Sequence, residues 1–203
     1  MAGKFLKSQL RLMSLCTTLA ASIYASNTAQ ARSAMELAGR TTQPVGHYEF
    51  CRQAPGECRA TRNVSPHALN RTDWQAMVAI NNQINSSVLP KTDMQIWGRE
   101  ELWSYPTSVG DCEDFVLLKR HVLMQHGFSA SNLLITVVRQ RNGEGHAVLT
   151  VRTDHGDFIL DNLTSEIKAW EDTPYTYLKR QSSKHAGRWV TISDHRMSVA
   201  SVR

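Results

Sequence analysis

The chain is 203 residues long, and its 23 Lys plus Arg exceed its 18 Asp plus Glu, for a formal charge of +5. That length supports one domain with a substantial core but scarcely two. The basic residues are scattered, with no stripe for nucleic acid and no polybasic run for a membrane surface, so neither partner is indicated.

At the N-terminus, Lys4, Lys7 and Arg11 precede a mostly apolar stretch over 12–25 and then the triplet Ala29-Gln30-Ala31. This is the layout of a secretory signal peptide over 1–31, which leaves a single domain over 32–203 and gives it a periplasmic address. A membrane anchor fits less well. Ser14, Thr17, Thr18 and Ser22 interrupt the run, and a span needs about 20 predominantly apolar residues. Cys16 leaves with the signal, as do three bases and no acid, which lowers the basic excess from five to two.

Export gives the remaining cysteines a meaning. Cys51, Cys58 and Cys112 would meet an oxidising compartment, and an odd count leaves one thiol over. Cys51 and Cys58 flank a segment whose Pro55-Gly56 step is a turn signal able to bring the two sulfurs together. Their pairing leaves Cys112 free; the alternative is that both stay as thiols. A bridge closing so short a loop contributes about 2–3 kcal/mol on the chain-entropy view.

Residues 32–70 show no clear period. Beyond them, Trp74, Met77, Val78, Asn81, Ile84 and Val88 follow helical spacing, and Thr72-Asp73-Trp74-Gln75 fits a capping box, so a helix is predicted over 72–87. An aromatic loop over 94–110 holds Trp97, Trp103, Tyr105 and Pro106. A second helix is predicted over 111–126, stopped by Gly127, with Cys112 in its first turn. Strands are expected over 133–139, 146–151, 158–161 and 188–192, with 140–145 as a polar loop. Helices followed by an antiparallel sheet make an α+β domain.

Three motifs carry chemistry: Gly110-Asp111-Cys112-Glu113-Asp114-Phe115, then Gly145-His146-Ala147-Val148-Leu149, then Ile159-Leu160-Asp161-Asn162. A thiol attacks as thiolate, and the positive end of a helix is one of the few places that lowers its pKa. Cys112 is therefore the candidate nucleophile. His146 can take the thiol proton and later deliver it to a leaving amine, while Asp161 fixes the imidazole by accepting from its other nitrogen. The Cys112 backbone N–H would supply one oxyanion donor, with Trp97, Trp103 and Asn82 as candidates for a second. Zinc has no support, since Cys112 has no cysteine near it and His121 and His126 are five apart, off one helix face. A serine nucleophile elbow and a glycine-rich phosphate loop are both missing from the sequence.

In order, spacing and setting, these motifs resemble those of the bacterial transglutaminase-like cysteine peptidases, a family that includes the LapG-like periplasmic adhesin proteases, over roughly residues 48–192. The resemblance implies a papain/transglutaminase-like core, with the nucleophile at a helix N-terminus packed on an antiparallel sheet carrying the histidine and aspartate. It further implies a cysteine peptidase acting on a protein such as a cell-surface adhesin, with an inner-membrane cyclic di-GMP receptor as a partner. Two other readings stand beside it: an acyltransferase passing the thioester to an amine, which the same three residues fit equally, and an inactive calcium-dependent binding module, which the presence of Cys112 disfavours.

Asp111, Glu113 and Asp114 complicate this chemistry, because carboxylates beside a cysteine oppose thiolate formation. Acidic residues suit a helix N-terminus without any metal. Alternatively calcium, a hard cation bound by oxygen, offsets them. The LapG-type members bind calcium through acidic neighbours of the cysteine, and the resemblance carries Asp111 and Glu113 over as ligands.

Strand register offers a check on the triad. His146 and Asp161 face one another only if paired positions sum to 307, which sets Leu149 opposite Phe158 and leaves 152–155 as the loop. A tighter turn centred on His155-Gly156 would set Asp161 opposite Thr150, about 13 Å out of register.

Overall fold

The computed structural model describes residues 33–197, and the expected signal peptide lies outside them. In chain order the elements are β1 (Leu37–Thr41), α1 (Val45–Gln53), α2 (Arg71–Ser87), β2 (Leu89–Pro90), α3 (Asp93–Trp97), β3 (Val109–Gly110), α4 (Cys112–Gln125), β4 (Leu133–Arg139), β5 (Gly145–Thr153), β6 (Gly156–Leu160), β7 (Lys168–Ala169), β8 (Thr176–Ser182) and β9 (His185–Ile192). Seven strands form one antiparallel sheet in the order β1-β9-β8-β4-β5-β6-β7. The domain is α+β, as expected.

The sheet's central strands are buried on both faces, which is why β4 and β5 read as apolar runs interrupted in their middles only by Thr136 and Thr150, whose hydroxyls bond each other. Ala147, Leu149 and Val151 of β5 pack with Met77, Ile80 and Ile84 of α2 and with Phe115, Val116 and Leu123 of α4. Val148 and Ile159 look the other way, onto Met35, Trp170, Tyr177 and Ile192. Leu149 is wholly inaccessible, so truncation to alanine there would cost about 2–5 kcal/mol.

Several sequence expectations need correction. Residues 32–70 are not irregular: they hold β1, which pairs with β9, and α1, which begins after Pro44. Helix α2 is capped by Asn70, whose side chain accepts from the Asp73 N–H at 2.9 Å, so Thr72 lies inside the helix and caps nothing. The capping box sits instead at α3, between Thr92 and Gln95, and the helix it starts runs into the segment over 94–110 expected to be loop. Strand β8 also escaped the sequence pattern. Its Arg180 and Gln181 are buried because Arg180 pairs with Asp157 at 3.1 Å and Gln181 accepts from the Ile135 N–H at 3.0 Å.

The β5–β6 register matches neither alternative. Leu149 pairs with Leu160, Val151 with Phe158 and Thr153 with Gly156, leaving Asp154 and His155 as a two-residue turn. Thr153 sets this turn, since its hydroxyl donates to the Gly156 carbonyl at 2.7 Å and accepts from the His155 N–H at 3.1 Å. Gly156 adopts φ +105°, a region that disfavours a side chain. Asp161 therefore follows β6 at the level of Val148 rather than of His146.

Candidate active site

One wall of the site is the start of α4. Strand β3 pairs in parallel with β2, and the Lys91 N–H donates to the Gly110 carbonyl at 3.0 Å, so the segment entering α4 is tied to the end of α2. Gly110 is required by close approach. A Cβ there would lie 2.8 Å from Asp114 Cβ, 2.9 Å from Asp114 Oδ2 and 3.0 Å from Pro106 Cβ. Asp111 is the N-cap residue and Cys112 the first residue of the helix, with a free, half-buried thiol.

That thiol donates to Glu113 Oε2 at 2.9 Å. Burial, followed by the Glu113 carboxylate, holds its pKa well above the usual thiol range, while the Ala147 amide of β5 works in the opposite direction. The charge conflict expected from the sequence is thus present in the fold. The cysteine rests as a thiol turned to Glu113.

The other wall is the end of the β5–β6 hairpin. His146 and Asp161 are both buried, and His146 Nε2 meets Asp161 Oδ1 at 2.8 Å. With Asp161 at the level of Val148, the pair is a diagonal one on a single face of the sheet, within reach of two side chains of this length. The contact anticipated from direct opposition is made although the register differs. Asp161 Oδ1 also accepts from the Leu163 N–H at 3.0 Å, and its Oδ2 accepts from the Tyr175 hydroxyl. These donors outweigh burial and hold its pKa below the ordinary carboxylate value.

A cavity of about 500 Å³ lies between the walls, lined by Glu113, His146, Ala147, Trp103, Val45 and Lys179, among others. Of the three oxyanion candidates, only Trp103 borders it. Trp97 is exposed, and Asn82 lies on α2 beside residues 162–165.

Behind Cys112, Asp93, Asp111 and Asp114 bring carboxylate oxygens within 4.8 Å of one another. Asp114 Oδ1 accepts from the Ser104 N–H at 2.7 Å and Asp93 Oδ2 from the Leu102 N–H. Asp93 Oδ1 and Asp111 Oδ1 are buried with no hydrogen-bond partner. Burial, then Glu113 and the two neighbouring aspartates, push Asp111 up to about 9. Burial, with Asp93 and Glu113 adding to it, takes Asp114 to about 7. An oxygen-lined cluster with orphaned buried acceptors suits a hard cation. Of the two ligands named from the sequence, Asp111 belongs to the cluster, and Glu113 lies against Asp111 while also accepting from the thiol.

Cys51 and Cys58 form a disulfide with Cα atoms 5.5 Å apart. It fixes a knuckle that docks on α4 through Glu57 and Arg120, 3.3 Å apart. Two residues at the site escaped the sequence reading: Asp93, which lies far from Asp111 in the chain, and Tyr175, which belongs to no motif. Neither distance corresponds to a helix or strand period, so no local signal pointed to them.

Residues 37–197 match the family of bacterial transglutaminase-like cysteine proteinases, BTLCP. Among solved structures, calcium-bound LapG of Legionella pneumophila is similar, with TM-score 0.50 and 25% identity over 63% of this chain and 74% of that one. The EGTA-treated form of the same protein gives TM-score 0.50 and 24% identity over 61% and 68% of the two chains. A further Legionella pneumophila LapG structure gives 0.49 and 26% over 58% and 68%. A search of curated proteins gives no match. With the family match spanning most of the chain, this protein belongs to the bacterial transglutaminase-like cysteine proteinases and is a cysteine peptidase.

Proposed function

We propose that Cys112, His146 and Asp161 are the catalytic triad of an exported, calcium-dependent protease. The observation that carries this is the buried His146–Asp161 pair at 2.8 Å on the wall of a cavity that Glu113, the neighbour of Cys112, also lines. With Nε2 committed to Asp161, Nδ1 is the nitrogen left for the thiol. His146 takes the Cys112 proton and the sulfur attacks the peptide carbonyl carbon. The same proton then goes to the departing amine, leaving a thioester. Water, deprotonated by His146, adds to the thioester, and the carboxylic acid leaves as the thiol is restored. The Cys112 backbone N–H, at the helix start, serves the oxyanion.

In the resting geometry the thiol is on Glu113 instead of His146. Catalytic hydrogen bonds often tighten only when substrate is bound, and here a change of partner is needed as well. Asp93, Asp111 and Asp114 would hold calcium, which supplies positive charge beside the helix start and so favours an ionised thiol. Support comes from the orphaned oxygens of Asp93 and Asp111 and from the similarity to calcium-bound LapG.

The proposed substrate is an exposed region of a large surface adhesin, with an inner-membrane cyclic di-GMP receptor sequestering the protease; family resemblance supports both. Among the described residues no helix is long and apolar enough to cross a membrane. Comparing surface proteins from cells with wild-type and Cys112→Ser enzyme tests this proposal. A surface protein shortened only in the wild type is the expected result, and identical profiles would refute the assigned substrate class.

A further inference from the structure

We propose that Tyr175 is a positioning residue for catalysis, its hydroxyl fixing the Asp161 carboxylate and thereby the orientation of the His146 ring. This inference rests on the triad proposed above and adds to it a residue outside the three motifs.

A carboxylate that orients an imidazole can fail by rotating, because an unsecured oxygen leaves the group free to turn about its terminal bond. Asp161 has both oxygens secured. Oδ1 takes the His146 Nε2 at 2.8 Å and the Leu163 N–H at 3.0 Å, and Oδ2 takes the Tyr175 hydroxyl. The Asn85 side chain adds a hold on the backbone by donating to the Asp161 carbonyl at 2.8 Å. Rotation of the carboxylate would break the Oδ2 bond along with those at Oδ1. The tyrosine ring also lies against the imidazole, with centroids 5.6 Å apart and planes at 56°, so one side chain limits both members of the pair.

Tyr175 is itself held from behind. Arg196 Nη2 donates to the Tyr175 carbonyl at 2.7 Å and to Asp194 Oδ2 at 2.7 Å, while Asp194 Oδ2 accepts from the Tyr177 N–H at 2.9 Å. The Arg196 guanidinium stacks on Trp170 at 4.6 Å and donates through Nη1 to the Trp170 carbonyl at 3.0 Å. The segment that delivers Tyr175 is therefore pinned at both its ends. Burial, then the hydrogen bond to Asp161 and its charge, raises the phenol above its ordinary value, which keeps the hydroxyl protonated as a donor.

The test uses Tyr175→Phe, which keeps the ring and removes only the hydroxyl. With a fluorogenic peptide selected for cleavage by the wild type, kcat should fall about tenfold with KM unchanged, the loss of one hydrogen bond to a charged group. In an Asp161→Ala background the same substitution should change kcat by less than about twofold, because the hydroxyl acts on His146 through the carboxylate, and the ring that rests on the imidazole is kept in phenylalanine. The proton resonance of the His146 imidazole N–H, followed by NMR in the Cys112→Ala protein, should move and exchange faster with water in Tyr175→Phe. Equal kcat losses in both backgrounds, or an unmoved resonance, would overturn the inference. Failure of the triad has a different signature, in which Asp161→Ala and His146→Ala retain full turnover.

Discussion

The two walls of the cleft differ in how complete they are. At the end of the β5–β6 hairpin every oxygen of Asp161 is bonded, and His146 is held in one orientation. At the start of α4, two buried carboxylate oxygens have no partner and the thiol is turned toward an acid. The His146–Asp161 pair is fixed by bonds within the fold, whereas the cysteine wall collects negative charge that the fold does not neutralise. Satisfied networks specify one geometry, and unsatisfied ones await a ligand or a rearrangement. Control over activity would therefore act on the cysteine wall.

The strongest way to break this contrast is to remove chemistry from each wall in turn. Cys112→Ala and His146→Ala should each lower peptide cleavage by about 10⁴-fold or more with the circular dichroism spectrum unchanged. Asp161→Asn should leave a remnant about 100-fold above theirs, since an orienting group removes less than the group it orients. Full turnover in Cys112→Ala would contradict the assignment of the nucleophile.

Metal dependence should fall on the cysteine wall alone. Chelation should slow both cleavage and iodoacetamide alkylation of Cys112 by about 100-fold, because unscreened carboxylates suppress the thiolate. Magnesium should restore little, as it prefers a small octahedral site and keeps its waters. Asp93→Asn and Asp111→Asn should each lower calcium affinity in titration calorimetry. Undiminished alkylation in excess chelator would leave the aspartates as helix-terminal charges only.

The disulfide offers a control that touches neither the thiol nor the His146–Asp161 pair. Replacing Cys51 and Cys58 together with serine should lower unfolding stability by about 2–3 kcal/mol in denaturant titrations. Cys112 should remain alkylatable in the unreduced wild type, and mass mapping that placed it in a bridge would exclude it as nucleophile.

The smallest expected effect concerns Lys119, two turns along α4 from Cys112. It is fully buried, with no hydrogen-bond partner for Nζ, and burial, opposed by Asp161, lowers its pKa to about 7. In the unfolded chain the amine keeps its proton up to its ordinary value of 10.5. Between these two values the unfolded state binds the extra proton, so stability should rise with pH across that window. Lys119→Met should flatten this slope and raise stability at pH 7 by about 1–2 kcal/mol. A thermal unfolding series from pH 7 to about 10 reads both. An unchanged slope would show that Lys119 does not give up its proton on folding in this window.

The sequence exposed the two walls unequally, for physical reasons. Cys112, His146 and Asp161 were legible because each sits at the end of an element whose apolar pattern marks the boundary. The hairpin register was not, because it depends on the Thr153 hydroxyl closing the turn onto Gly156, a choice of partner that hydrophobic periodicity does not encode. Asp93 was hidden by its position on α3, a five-residue helix too short to show a period. Strand β8 was masked by Arg180 and Gln181, whose burial depends on partners elsewhere in the sheet.

Gly110 has a consequence for engineering. Because its absent side chain is what lets β3 run against Asp114, even alanine would collide with an aspartate of the acidic cluster and with Pro106. In a saturation library screened for activity, this position should be as intolerant as Cys112, although it touches no substrate. Screened for expression alone, it should pass far more variants. The difference between the two screens would separate residues that shape the cleft from residues that hold the domain together.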